Sequence, residues 1–449
     1  MRSPALLRLA GPLVVSFWLR STFAWVDTIY ASMLPEGDAS IAAIGLTLPL
    51  EFLALACWVG TSNGLTARLA SAMGAGAGAS ILGLQLGARK IIHILCVSFL
   101  LLAAGVWWVI PHLGLDPAVA GAFRIYAPIL LAGSGLTSFW AILPDSVVKA
   151  HQDTKGTMWA GIISGCLNVI LNTVFVFVCG WGIMGIALST VIGRLGGLTF
   201  AIFRARGHEL ARIARNHDSQ PGIFENPVRA ILQLAVPGAL AYFFISGETL
   251  AVNLVLAQSE DATPLLASWS IFDRTVRFLA MPMIAVSVAL LPLVARLHGK
   301  NDFRGIRMEL GVGLRAGFFY VLVFVLPAAL LLGPWIAEKL ADAETTRLFA
   351  AQGMAFIPLT VLALLPFFLV RSAFEGLQQP QPGLVASAVK ATFLVVPLVA
   401  LGWAWAPHFG YSTLQGACAG YLVGQAVASL GLGFWMRSRL NREVDGVPA

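Results

Sequence analysis

The second half of this sequence repeats the first, and this constrains the fold more than any other feature. Leu9-Ala10-Gly11-Pro12 opens one long apolar segment, and Leu234-Ala235-Val236-Pro237 opens another about 225 residues later. Two further pairs share this spacing to within one residue: Gly74 with Gly299, and Gln152 with Gln378. Three matches in one order at one spacing predict two copies of a single structural unit.

The composition indicates that lipid covers most of the surface. Hydrophobic residues make up 58% of the chain and charged residues 11%, whereas a soluble domain has about 25% charged residues. The mean hydropathy is +0.82. A spanning helix needs roughly 20 apolar residues, and twelve such stretches fit, at about 5–34, 39–69, 91–112, 118–148, 157–180, 183–204, 228–257, 263–295, 308–332, 346–373, 383–405 and 412–436. We therefore predict an all-α membrane protein with twelve transmembrane helices in two pseudo-symmetric six-helix lobes.

The net charge of +7 follows from basic residues that collect in alternate loops, while the other loops are short and acidic. Because basic loops stay in the cytoplasm, both termini are expected there, in a multi-pass protein of the cell (inner) membrane. A charge-rich break then separates the two copies. We predict an N-terminal lobe at 1–203, a cytoplasmic linker at 204–226, and a C-terminal lobe with a short cytoplasmic tail at 227–449.

The sequence shows no pattern typical of catalysis. The glycine run from Gly74 to Gly78 lacks the Gly-Lys-Ser/Thr ending of a phosphate loop, and no histidine and glutamate have metal-ligand spacing. All five cysteines fall in apolar segments without paired spacing. We expect neither an enzyme, nor a resident metal or cofactor, nor a nucleic-acid partner.

Ionisable side chains within the spans mark candidate functional positions, because each costs roughly 2.5–3.5 kcal/mol at bilayer depth unless it has a partner or a water-filled cavity. The cavity and possible substrate candidates are Arg20, Glu51, Glu248, Asp273, Arg274 and Arg277, and Arg194 also lies in a span. Similar depths predict one ion pair per lobe, Arg20 with Glu51 and Glu248 with Arg274 or Arg277. Such pairs serve either function or structural stability, and the sequence leaves both open.

Asp27 is the leading candidate for a coupling site. Burial and the positive charge of Arg20 act in opposite directions on its ionisation, so it could bind and release a proton near neutral pH. Asn168 and Asn172 are four residues apart and share a helix face, and Thr190 lies on the next helix. Amide oxygens and a hydroxyl beside a carboxylate form either a proton site or a hard-cation site. The alternative is a purely structural hydrogen-bond cluster.

With these residues, the chain resembles the multidrug and toxic-compound extrusion (MATE) transporters over nearly its whole length. The matching segments are Leu9-Ala10-Gly11-Pro12, Val26-Asp27-Thr28, Ala72-Met73-Gly74-Ala75-Gly76, Asp153-Thr154-Lys155, Leu167-Asn168-Val169-Ile170-Leu171-Asn172 and Gly185-Ile186-Ala187-Leu188-Ser189-Thr190. The resemblance implies two six-helix lobes forming a V. It also implies export driven by proton or sodium entry, with a first-lobe cation site at Asp27, Asn168, Asn172 and Thr190.

Two departures from the family pattern bear on mechanism. Asn172 stands where members with the fullest cation site have a second carboxylate, which disfavours sodium. Arg20 stands where a neutral polar residue is common, which would suit an anionic or neutral cargo. Glu248 resembles a carboxylate used by some members but is about one turn displaced.

We therefore expect a monomer in the bilayer that exports small organic compounds, drugs or metabolites, in exchange for protons or, less readily, sodium. The alternative on the same scaffold is a flippase or exporter of a lipid-linked or anionic metabolite, which a cavity rich in arginine would favour. A membrane-embedded enzyme and a channel are the remaining alternatives.

Overall fold

A computed structural model of the chain describes residues 5–23, 26–214, 225–340 and 344–444. All regular structure in these residues is helical. Eleven of the described helices are long and apolar enough to cross a membrane. In chain order the helices are α1 (Ala5–Phe23), α2 (Val26–Ser32), α3 (Gly37–Ala75), α4 (Gly78–His112), α5 (Pro117–Ala150), α6 (Thr154–Val178), α7 (Gly182–Ala214), α8 (Pro227–Leu256), α9 (Ala262–Gly299), α10 (Phe303–Ile336), α11 (Glu344–Met354), α12 (Ile357–Gly376), α13 (Gln381–Phe409) and α14 (Thr413–Glu443).

These helices form two sets of six membrane segments. The first segment of the first set comprises α1 and α2, and the fourth segment of the second set comprises α11 and α12. The remaining ten segments are single helices. The predicted all-α fold with twelve transmembrane segments in two lobes is confirmed.

The duplication is visible in individual hydrogen bonds. The Ser146 hydroxyl on α5 donates to the main-chain oxygen of Ser62 on α3 at 3.2 Å. At the repeat spacing, the Ser372 hydroxyl on α12 donates to the main-chain oxygen of Ser287 on α9 at 2.5 Å. The same bond therefore joins the second and fourth segments of each lobe.

Two turns recur with the same backbone conformation. Gly76 and Asn301, which follow the second segment of each lobe, have φ of 71° and 58°. Gln152 and Gln378, which follow the fourth segments, have φ of 61° and 62°. Non-glycine residues rarely adopt this left-handed region, so its recurrence at the repeat spacing shows that both copies use the same turns.

An ion pair also recurs, but with its charges exchanged. On α5, Lys149 Nζ lies 2.6 Å from the Asp145 carboxylate. On α12, Arg371 Nε lies 3.4 Å from the Glu375 carboxylate. Each cation also packs over an aromatic ring, Lys149 over Trp58 and Arg371 over Tyr242. The two lobes thus share a backbone plan while their buried charges differ.

The chain divides into two compact units, one containing Leu9–Ala239 and the other containing Met1–Arg8 with Leu240–Ala449. The division falls inside α8, so a compact unit is not the same as a sequence repeat. Helix α7 continues to Ala214, and the first part of the predicted linker 204–226 is therefore helical. Residues 215–224 of that linker lie outside the described residues, and the three predicted domains stay a prediction.

Glycines allow the last two helices to pack with their main chains in contact. A Cβ placed on Gly420 of α14 would collide with the main-chain oxygen of Leu398 on α13, and Gly402 and Gly416 meet just as closely. Such approaches between small residues are typical of helix pairs in membranes, where apolar burial supplies no driving force.

We expect Gly420→Ala to destabilise the protein by about 1–3 kcal/mol, because the added methyl group forces α13 and α14 apart. Thermal unfolding of the purified protein, followed by tryptophan fluorescence, measures this loss. Gly433→Ala on the same helix is the matched control, since a Cβ there meets nothing within 4 Å. Equal unfolding temperatures for the two variants would contradict the close packing.

The turn before α6 holds a polar cluster outside the spans. Asp153 accepts hydrogen bonds from the Gly156 N–H at 3.0 Å, the Arg204 Nε at 2.5 Å and the His208 Nε2 at 2.8 Å. The His208 ring stacks on His151 with centroids 4.9 Å apart. Burial of the Asp153 carboxyl opposes its ionisation, but these donors outweigh burial and hold the pKa of Asp153 below its ordinary value.

A depressed pKa makes Asp153 stabilising above its unfolded-state value of about 3.9, with that stability lost as the pH falls through the lower folded-state value. Asp153→Asn should therefore lower the melting temperature by a few degrees at pH 7. The difference from wild type should close below about pH 4. Asparagine still caps α6, so melting curves across pH isolate the charge. Asp302→Asn, at the N-cap of α10, controls for replacing a capping carboxylate.

Candidate functional site

Four predicted residues meet inside the first lobe. Asp27 lies in the first turn of α2, Asn168 and Asn172 lie one turn apart on α6, and Thr190 lies on α7. Helices α6 and α7 pack closely because Gly193 of α7 fits against the main chain at Ser164. The i, i+4 spacing on α6 therefore aims both amides at the space that Asp27 and Thr190 occupy. We call this group the Asp27 cluster.

Direct hydrogen bonds join the Asp27 cluster. Asp27 Oδ1 accepts from Asn172 Nδ2 at 3.0 Å and from Asn168 Nδ2 at 3.3 Å. Asp27 Oδ2 accepts from the Thr190 hydroxyl at 2.9 Å. Asn168 Nδ2 also lies 2.9 Å from Thr190 Oγ1. Asn172 is fully buried, whereas Asp27, Asn168 and Thr190 are half-buried. The Asp27 carboxylate is thus partly exposed, although hydrogen bonds hold the side chains that donate to it.

A fifth residue, which the sequence analysis did not single out, orients the cluster. The buried Ser189 hydroxyl donates to Asn172 Oδ1 at 2.6 Å. Because the amide oxygen is held by Ser189, the amide nitrogen of Asn172 faces Asp27. The polar Ser189-Thr190 pair within an apolar helix is the signal that could have identified it.

Glu51 pairs with Arg194 in the first lobe. Arg194 Nη2 lies 3.3 Å from Glu51 Oε1, and Arg194 Nη1 donates to the Ser134 hydroxyl at 3.3 Å. Both charged side chains are about a third exposed, at 31% and 32%. The side chain of Arg20 lies outside the described residues, and the predicted Arg20–Glu51 pair stays a prediction.

Glu248 has a different partner from the one the sequence suggested. Its carboxylate lies 3.0 Å and 3.1 Å from Lys390 Nζ on α13 and accepts from Gln425 Nε2 on α14 at 3.1 Å. The predicted pairing of Glu248 with Arg274 or Arg277 is therefore wrong, because Lys390 contacts both oxygens of the Glu248 carboxylate. The sequence analysis did not name Lys390, although it lies inside the predicted span 383–405. The cost of a charge at bilayer depth identifies it there as a candidate functional position. We call Glu248, Lys390 and Gln425 the Lys390 triad.

Asp273 and Arg277 pair with each other on α9. Arg277 Nε donates to Asp273 Oδ2 at 2.7 Å, and Arg277 Nη2 donates to the Thr249 hydroxyl at 2.7 Å. Asp273 lines a cavity of about 380 Å³, together with Asn253, Leu254, Ala257, Leu266, Trp269 and Ser270. Arg274, the next residue, is exposed. This Asp273 cavity has the volume of a small-molecule site and combines polar groups with an aromatic ring.

The model of one protein family matches the chain twice, at residues 12–174 and 237–401. That family is MatE, and together the two matches cover well over half of the chain. The chain belongs to the MatE family of multidrug and toxic-compound extrusion transporters. The resemblance found in the sequence is thereby confirmed. The two matches also begin 225 residues apart, which is the spacing of the duplication.

Curated relatives of this MatE protein include two bacterial proteins. It is 22% identical over 398 residues to the probable multidrug resistance protein NorM of Thermotoga maritima, covering 83% of this chain and 78% of that protein. It is 29% identical over 198 residues to the probable multidrug resistance protein NorM of Deinococcus radiodurans. The second match spans 43% of this chain and less than half of that relative, 42%.

Solved structures share the fold over almost the whole chain. A MOP superfamily transporter from Pyrococcus furiosus, described as having a binding pocket of reverse polarity, matches with a TM-score of 0.85 at 18% identity, over 98% of this chain and 96% of that one. A mutant of the Vibrio cholerae MATE transporter VcmN matches with a TM-score of 0.84 at 21% identity, over 97% of this chain and 96% of that one. At these identities the likeness shows the fold.

Proposed function

We propose that this protein is a secondary active antiporter of the cell inner membrane, which exports small organic compounds in exchange for protons. It would alternate between inward-open and outward-open states as a monomer in the bilayer, with both termini in the cytoplasm. It would need no cofactor apart from the coupling ion. The relatives named multidrug resistance proteins support drugs as one class of cargo.

One observation carries this proposal: every hydrogen bond that Asp27 accepts from a described side chain comes from a neutral group, namely Asn168, Asn172 or Thr190. A carboxylate in a medium of low dielectric needs a compensating positive charge. Because its described partners supply none, we infer that a mobile cation neutralises it. The proton and sodium are the candidates.

The geometry can accommodate a proton on Asp27 with little rearrangement. A protonated Oδ2 would donate to Thr190 Oγ1, since a hydroxyl both donates and accepts. The Thr190 proton would then turn to the main-chain oxygen of Ile186, which lies 3.2 Å from Thr190 Oγ1. Oδ1 would keep both amide donors. Protonation would thus reverse one hydrogen bond and turn the charge-assisted bonds of Asp27 into weaker neutral ones. This would loosen the attachment of α2 to α6 and α7 and link the proton to the conformational change.

The orientation of the amides favours the proton over sodium. Sodium is a hard cation that takes oxygen ligands, but Asn168 and Asn172 present nitrogens to Asp27. Turning both amides around would break the hydrogen bonds that their nitrogens donate to Asp27. Sodium would therefore bind at the cost of those bonds.

The charges in the spans support a neutral or cationic cargo better than an anionic one. Arg194, Arg277 and Lys390 are each paired with a carboxylate, which leaves less net positive charge to attract an anion. The Asp273 cavity offers the polar and aromatic groups that would contact a cargo. For these reasons we favour the drug or metabolite antiporter over the flippase of lipid-linked precursors.

We expect Asp27→Asn to abolish efflux driven by a pH gradient while leaving expression and melting temperature close to wild type. Asparagine keeps the shape of the side chain and one acceptor oxygen, but it cannot bind and release a proton at neutral pH. The measurement is transport of ethidium, with carboxyfluorescein as an anionic comparison, by protein reconstituted in vesicles under an imposed pH gradient.

Asp38→Asn is the matched control for this experiment, because Asp38 is an exposed carboxylate in the first turn of α3. It should transport like wild type. Gradient-driven efflux by Asp27→Asn at the wild-type rate would remove Asp27 from the coupling mechanism, and preferential export of carboxyfluorescein would favour the anionic cargo.

A second prediction concerns ion choice. Ser189→Ala should weaken sodium binding by about fivefold, because the buried nitrogen of a turned Asn172 amide then has no Ser189 oxygen to accept its hydrogen bond, which is worth about 1 kcal/mol. Binding of radioactive sodium to the purified protein at pH 8 measures this change. Ser268→Ala is the control, since Ser268 is an equally buried serine that bonds main-chain oxygens in the other lobe. Unchanged sodium binding in Ser189→Ala would show that amide orientation does not set the choice.

A further inference from the structure

The Lys390 triad occupies the same helices in the second lobe that the Asp27 cluster occupies in the first. The repeat spacing relates α8 to α1 and α2, α13 to α6, and α14 to α7. Asp27 meets residues of α6 and α7, and Glu248 of α8 meets residues of α13 and α14. Each lobe thus places one carboxylate from its first segment against polar side chains of its last two.

The two clusters differ in what neutralises the carboxylate. Lys390 Nζ lies within 3.1 Å of both oxygens of Glu248 and 3.3 Å from Gln425 Oε1. Three oxygens, two from a carboxylate and one from an amide, therefore surround the ammonium. The Phe367 ring, 5.0 Å away, lies on another side of it. Oxygens of these kinds also bind free cations, so the ammonium occupies a cation cage.

The cage is closed to its surroundings. The exposed fractions of Glu248, Lys390 and Gln425 are 4%, 3% and 0%. Glu248 Oε2 makes no hydrogen bond within the described part of the chain and is compensated by its 3.0 Å ion contact with Lys390. Removing the ammonium would leave this buried oxygen without a partner, which strongly disfavours the ionised carboxylate unless another cation enters.

We propose that Lys390 is the resident cation of a second-lobe cation site, and that replacing it uncovers a latent site for a free monovalent cation at Glu248 and Gln425. The wild-type protein then carries its exchangeable ion in the first lobe alone. This inference rests on the proposed role of Asp27 for the identity of that one exchangeable ion, but the closure of the second-lobe site follows from the Lys390 triad itself.

The test counts monovalent cations bound by the full-length protein in nanodiscs. Three probes are used: radioactive sodium, radioactive rubidium, and protons counted as protonated carboxyl groups by infrared difference spectroscopy on an alkaline shift. Each count is taken as the excess over the triple variant Asp27→Asn/Glu248→Gln/Lys390→Met, which lacks both sites. The probes distinguish whether a proton, a small ion or a larger ion fills the latent site.

The wild type should bind one equivalent and Lys390→Met two, a twofold increase. Lys390→Met combined with Glu248→Gln is the matched control and should return to one, because the second carboxylate is gone. Lys390→Arg keeps the charge and should remain at one. A count of one in Lys390→Met, or of two in the wild type, would overturn the inference.

Asp27→Asn separates this inference from the proposed function. It should bind no equivalent by itself and one when combined with Lys390→Met. If Asp27→Asn binds as many cations as the wild type, the proposal that Asp27 is the coupling site is contradicted. The number of cations that Lys390→Met gains would still test the second-lobe site. Should Lys390→Met not fold, a wild-type count of two that falls to one in Asp27→Asn would by itself contradict a closed second site.

Discussion

A carboxylate buried inside a membrane protein carries a charge that must be compensated. The rest of this structure depends on which group compensates each buried carboxylate. A charge at bilayer depth needs a partner or a water-filled cavity, and a partner charge either belongs to the chain or arrives from solution. Glu51 and Glu248 have attached cations, Arg194 and Lys390. The described partners of Asp27 are neutral. This difference between attached cations and neutral donors is the reason for proposing Asp27, and neither Glu51 nor Glu248, as the charge that responds to ions around the protein.

The duplication makes this difference informative, because both lobes solve the same packing problem. The Ser146–Ser62 and Ser372–Ser287 hydrogen bonds recur at the repeat spacing, so the backbones of equivalent segments meet alike. Charged positions do not follow the same rule: the acid and base exchange places between Asp145–Lys149 and Arg371–Glu375. Backbone packing therefore leaves the sign of a buried charge undetermined, provided that the pair stays neutral overall.

The sequence predicted the fold and the membership of the Asp27 cluster but not the ion pairs, for a geometric reason. Apolar length determines the spans, and the i, i+4 spacing of Asn168 and Asn172 fixes their common face within one helix. A partner on another helix depends also on the rotation of both helices about their axes, and depth carries no information about rotation. Glu248 and Arg274 have similar predicted depths, yet Lys390 holds the carboxylate. A π-helical turn at Lys390–Val395 alters the rotation of α13 at that point, which the repeat alone could not reveal.

Only a site whose occupancy depends on the free ion concentration can draw energy from an ion gradient. The Lys390 ammonium is tethered within the same chain as Glu248, so its binding is intramolecular and does not depend on the ions on either side of the membrane. A gradient therefore exerts no force on the Lys390 triad. Asp27, half-buried and held by neutral donors, has no such tether among its described partners. This difference supports the proposal that Asp27 is the carboxylate that exchanges its ion with solution. Under the proposals made above, a built-in ammonium in a duplicated protein makes one of two equivalent sites structural and leaves coupling to the other.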